Sequence, residues 1–158
     1  MPQSAAPELA YHIRLTELEL QLVGEITAIQ CQIENLLRNT IQAMLDPSTD
    51  AYFPVMDCDS LITTTYIFER IARKKAPTDE LRALAKNIST RTKELSKGHN
   101  DFTHAIYAVA RPDFKGVRDE AAKISCALAH FEYCVLASKG ADSATNLAAF
   151  SSEWLGRF

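Results

Sequence analysis

The apolar residues of this chain recur at steps of three and four in one segment after another, and that period leaves few folds open. Between Thr78 and Ala110, Leu81, Ile88, Leu95, Phe102 and Val109 return every seven residues, with Leu84, Ala85, Thr92 and Ile106 filling in between. Such spacing draws one apolar stripe along a helix. Pro77 keeps anything upstream from running into it, Thr78 is a natural N-cap, Asp79 and Glu80 put negative charge in the first turn, and Pro112 ends it. The series Leu15, Leu18, Leu22, Ile26, Ile29, Ile33 and on to Met44 predicts a helix over 8–45, about 38 residues and ~57 Å long, in which Gly24 marks a close packing point or a slight bend.

A third periodic segment runs from Val117 through Ala121, Ile124, Leu128 and Phe131 to Val135 and predicts a helix over 117–139 closed by Lys139-Gly140. The stretch 59–75 is ambiguous, because Ile62 to Phe68 has strong β-propensity. Helix is the reading adopted: Leu61, Thr65, Phe68 and Ala72 keep helical spacing, cations fill the last turns, and no second strand is available to pair. Leu147, Phe150 and Trp154 fall on one side of a short helix near 143–155. Residues 46–50 read as a loop, 51–56 as an irregular apolar segment packed on the bundle, and 1–7 as a disordered lead-in. The fold expected is all-α, an up-and-down bundle of four main helices plus a short C-terminal helix, in one domain over 8–158.

Composition agrees. With 158 residues, 47% hydrophobic and 23% charged, and only 5 Gly and 6 Pro, the chain suits one helical domain with a core. A net charge of −3 excludes nucleic-acid binding driven by overall charge. The first ten residues lack the basic and apolar regions of a signal peptide, and no apolar run reaches membrane-spanning length. Cys31, Cys58, Cys126 and Cys134 have no CxxC spacing and read as reduced core residues, so the chain is expected in the cytoplasm, without metal or cofactor.

Chemistry is concentrated at one place. Lys97-Gly98-His99-Asn100-Asp101-Phe102-Thr103-His104 lies near the end of the 78–110 helix, and Arg82, Lys86, Lys93 and Lys97 form a line of positive charge leading to Asn100 and His104. One reading is a solvated helix face; the other is a phosphate-binding track ending at a proton-transfer group. Asn100 and His104 are four apart, so an amide there can orient the imidazole. Glu-x-x-His pairs of a di-iron bundle are missing, His12 and His130 read as ordinary bundle residues, and no cysteine is expected to have a basic partner nearby in sequence.

A helical domain with a long first helix and a later long helix ending in Asn100-x-x-x-His104 resembles the HEPN superfamily, over about residues 8–139. That resemblance implies a homodimer whose motif residues face each other and cut RNA without metal, with the 2′-hydroxyl as nucleophile. His104 would move the proton, Asn100 would orient it, and His99 stands where the family carries arginine. An imidazole is not a permanent cation and lacks the guanidinium fork; Lys97 would supply charge in its place, and Lys93, Lys86 and Arg82 would bind the substrate. Three functions stand open at this stage: a toxin or defence endoribonuclease, whose partner would be an antitoxin or regulatory protein; a dimeric RNA- or nucleotide-associated module that has weakened or lost cleavage; and a helical interaction scaffold with no nucleic-acid role.

Overall fold

The computed structural model describes residues 15–45, 60–105 and 113–140, with the side chains of 99–105 outside that description. Four helices fill these ranges: α1 (Glu17–Met44), α2 (Leu61–Lys75), α3 (Asp79–Ala105) and α4 (Phe114–Ser138). The expected helix over 143–155, the disordered lead-in, the 46–56 segment and the last turn of the 78–110 helix lie outside the described residues. The helices pack in a ring, α1 on α2, α2 on α3, α3 on α4 and α4 back on α1. One core draws on all four, with Ile33, Leu37, Phe68, Ile88, Leu128 and Phe131 sealed from solvent. At its centre the rings of Phe68 and Phe131 meet edge to face, 5.3 Å apart. The all-α bundle is what the chain forms, strands being absent among the described residues.

Direction alternates only in part. The three residues 76–78 join α2 and α3 as an antiparallel hairpin, and α4 runs back against α3, with Arg91 opposite Glu120 and Leu95 and Gly98 opposite Val117 and Asp113. At the start of α1, Ile26 packs with Phe114 and Val117 and Glu25 meets Arg118, while Ile33 to Met44 continue into the core. Thus α1 lies parallel to α4. The end of α1 is beside the end of α2, where Leu45 adjoins Ile67 and Ile71. So α1, α2 and α4 run one way and α3 the other. The 15 residues between Leu45 and Leu61 reach up to ~50 Å when extended, ample to return along an α2 of about 22 Å.

Local chemistry sets the ends, and two starts differ from expectation. Helix α1 begins at Glu17, not near residue 8: Thr16 is extended (ψ 161°), its hydroxyl accepts from the Glu19 amide, and the Glu19 carboxylate accepts from the Thr16 amide. This is a capping box, legible as Thr16-x-x-Glu19. The helix is 28 residues, about 42 Å, shorter than the period alone suggests. Leu18 is 65% exposed despite its place in the periodic stripe, and Gly24 packs against nothing within 4 Å, so it marks no close approach. Helix α4 begins at Phe114 rather than 117, because Asp113 caps it by accepting from the Gly116 amide at 2.9 Å. Gly140, at φ 72°, closes α4 as expected.

The β-prone segment is helical. Ser60 caps α2, and the hydroxyls of the buried Thr64 and Thr65 donate to the carbonyls of Ser60 and Leu61. Their polar atoms are thereby satisfied inside the core, so the β-branched run costs little where its methyl groups pack.

Candidate functional site

Helix α3 is continuous through Ala105, so residues 100 and 104 are one turn apart, about 6 Å along the axis. The side chains of His99, Asn100 and His104 lie outside the described residues. Upstream, the four cations of the expected track divide into two pairs. Arg82 is tied to Asp79 and donates to the Ala76 carbonyl at 3.3 Å, which fastens the hairpin. Lys93 reaches Glu69 of α2 at 2.5 Å, and its Nζ sits 4.0 Å from the centre of the Tyr66 ring. Lys86 and Lys97 are exposed and have no carboxylate partner among the described residues. The line of charge therefore holds two free cations, not four: two of its members link helices or cap a turn.

Between the C-terminal half of α3 and the start of α4 is a cavity of about 340 Å³, bordered by Glu94, Leu95, Gly98, Asp113, Val117 and Glu120. It opens where the 97–104 segment begins. Its one cation, Arg91, grips Glu120 through two hydrogen bonds of 2.5 and 2.7 Å. That guanidinium holds the Glu120 carboxyl below its ordinary range, against a smaller opposing effect of burial. With Glu94 and Asp113 also on its rim, the cavity is acidic and does not suit a phosphate. Positive charge without a carboxylate partner among the described residues gathers elsewhere: Arg70, Lys74 and Lys75 at the end of α2 border a cavity of about 300 Å³ floored by Leu45, Ile67 and Ile71.

One pair of side chains eluded the reading of the sequence. His130 Nε2 and Cys134 Sγ are 3.4 Å apart, one turn from each other on α4. A cysteine does have an imidazole partner nearby in sequence, and the i,i+4 spacing of His130-x-x-x-Cys134 was the signal available. Burial lowers the pKa of the imidazole and raises that of the thiol, so both are neutral at pH 7. Nor are the three described cysteines core residues: Cys31 and Cys126 are exposed and Cys134 half-buried, all as free thiols, while Cys58 lies outside the described residues. Among the described residues no group of three or more His, Cys, Asp or Glu could hold a metal, and no helix is long and apolar enough to cross a membrane.

No protein-family model matches the chain, and no curated protein and no solved structure matches it. The class that fold and site define is thus architectural: an all-α bundle, of four helices among the described residues, with a polar sequence cluster at the end of α3.

Proposed function

We propose that the chain is a HEPN-like helical module that pairs with a second copy and associates with RNA or a nucleotide, with metal-independent cleavage weak or lost. The observation that carries this reading is the unbroken course of α3 to Ala105, which sets Asn100 and His104 at the one-turn spacing of the motif they resemble. Exposed Lys97 stands one turn before Asp101 and has no carboxylate partner among the described residues, which leaves it to meet a phosphate. Weak cleavage follows from the charge nearby. His99 stands in the place of the arginine, and the guanidinium that borders the cavity beside Gly98, that of Arg91, is committed to Glu120. A transition state gaining negative charge then lacks the forked cation that would stabilise it.

A second reading, an interaction scaffold, draws on the commitment of Arg82 and Lys93 to carboxylates of the bundle itself and on the acidic cavity beside the motif. One experiment separates the two. A mixed RNA pool is incubated with chelator and wild type, His104→Ala or His99→Arg, and RNA binding is followed by anisotropy at two salt concentrations. The nucleic-acid reading expects salt-sensitive binding weakened by Lys97→Ala, and cleavage that is abolished in His104→Ala and increased in His99→Arg. General acid–base catalysis contributes about 10² to 10⁴-fold, so the His104→Ala loss should fall in that range. Absence of binding together with absence of cleavage in His99→Arg would leave the scaffold.

A further inference from the structure

The outer side of the seam between α2 and α3 is basic, in a chain whose net charge is −3. Tyr66, Glu69 and Arg73 lie on one stripe of α2, and Arg82, Lys86, Lys93 and Lys97 lie on one stripe of α3. The two stripes face each other: Lys93 reaches Glu69 at 2.5 Å, and Arg73, Arg82 and Lys86 together border a groove of about 310 Å³. Glu69 is the one carboxylate lining that groove, and it is shared between Lys93 and Arg73, the latter at 3.5 Å. Glu94 is turned to the other side of α3, onto the cavity facing α4. Surface ion pairs are weak, and Arg73 stays 72% exposed within its pair. It can therefore meet an anion, as can exposed Lys86, which has no carboxylate partner among the described residues.

Beyond Glu69, one turn back along α2, stands Tyr66. It is 53% exposed, although Lys93 Nζ sits 4.0 Å from the centre of its ring. Among the described residues the only other large apolar side chains so exposed are Leu18 and Leu20, both on α1. Cations that follow a backbone, beside an aromatic ring on which a base can stack, are what holding single-stranded nucleic acid requires. A duplex meets only the cations, because its bases are already stacked on one another. Length separates a strand from a mononucleotide: the basic stripe runs about 22 Å from Arg82 to Lys97, more than one nucleotide spans.

We propose that the seam between α2 and α3 is a track for single-stranded RNA, in which Arg73, Arg82 and Lys86 hold phosphates and an unpaired base stacks on Tyr66. This rests on the reading of the chain as RNA-associated and specifies it, since it names the form of the strand and adds a ring and a cation of α2 to the line of charge on α3. Because α2 and α3 are antiparallel and Tyr66 lies against Lys93, one turn before Lys97, a strand that leaves the ring along the stripe passes Lys97 towards residues 99–104.

The test is fluorescence anisotropy of the full chain with a short unstructured RNA and with a fully paired RNA duplex, over a range of salt concentrations. Tyr66→Ala should weaken single-strand binding about 5- to 150-fold, the worth of one stacked base, without changing the salt dependence, and Tyr66→Phe should retain it. Arg73→Ala and Lys86→Ala should each flatten the slope of log K against log salt by about 0.7, the value for one phosphate contact on a single strand. Lys123→Ala, which removes an exposed cation of α4, should change neither affinity nor slope. The duplex should bind more weakly and be indifferent to Tyr66→Ala. Binding that Lys97→Ala weakens but Tyr66→Ala and Arg73→Ala leave intact would overturn the track while sparing the RNA reading, whereas no RNA binding by wild type would overturn both. A loss in Lys123→Ala equal to that in Arg73→Ala, or a duplex held as tightly as the single strand, would also overturn the track.

Discussion

Gly98 and Gly116 are both helical glycines bordering one cavity, yet replacing them by alanine should act in opposite directions. A Cβ on Gly98 meets nothing within 4 Å, so Gly98→Ala should gain the helix propensity that glycine forfeits, about 0.5–1 kcal/mol. A Cβ on Gly116 would come within 2.3 Å of Asp113 Oδ2, the side chain that caps α4. Displacing a cap costs about 0.5–2 kcal/mol, which cancels or exceeds the propensity gain. Urea unfolding of the two variants should show Gly98→Ala more stable than wild type and Gly116→Ala equal or less. The Asp113-x-x-Gly116 cap was present in the sequence but hidden behind Pro112-Asp113, a turn signal that points equally to a loop; a cap is distinguished from a turn only by whether the helix follows at once.

At the scale of the element, two glutamates of α4 should give opposite pH signatures. Arg91 lowers the pKa of Glu120 in the folded chain. Its contribution to stability is therefore complete above the unfolded glutamate pKa of about 4.3 and is lost as pH falls through the lower folded value. Glu132 is raised by burial; the fold favours its protonated form, and the ionised form weighs against folding once pH rises through the raised value. Glu120→Gln should then lower the urea midpoint at pH 7, and Glu132→Gln should raise it. The Glu132 difference should fade once pH drops below the unfolded glutamate pKa, and the Glu120 difference only as pH falls on through its lowered folded value. An unchanged Glu132→Gln midpoint at pH 7 would show that its carboxyl is not held out of water. The existence of α1 to α4 could be read from period alone, but the partners of their charges could not. Arg91–Glu120 spans 29 residues and Arg118–Glu25 spans 93, separations at which sequence spacing conveys no distance.

For the whole molecule, cohesion rests on the contact of Phe68 with Phe131, where the ring of helices closes on its axis. Truncating a buried phenylalanine costs about 3–5 kcal/mol, against a total of about 5–15 kcal/mol for a domain. Phe131→Ala should remove about a fifth or more of the stability and expose the core to dye binding, whereas Tyr66→Ala, on a half-exposed ring that only sits under Lys93, should cost far less. Equal losses in the two would place the core elsewhere.

The all-α class was determined by the sequence, because a period of three and four admits one secondary structure and five glycines with six prolines leave long helices uninterrupted. The caps at Thr16, Ser60, Thr78 and Gly140 were equally within reach, being contacts between residues at most four apart. Tertiary structure decided the rest. That α1 lies parallel to α2 and α4 follows from which apolar faces meet, and a 15-residue connection permits either direction. That Leu18 is exposed while Ile26 is buried depends on where the neighbouring helices end. That Arg82 and Lys93 are joined to carboxylates while Lys86 and Lys97 have none among the described residues depends on what α2 and the hairpin turn present to each. Charges separated along the chain acquire partners only when the chain is folded, so the track legible on one helix face became half structural once the other helices were in place.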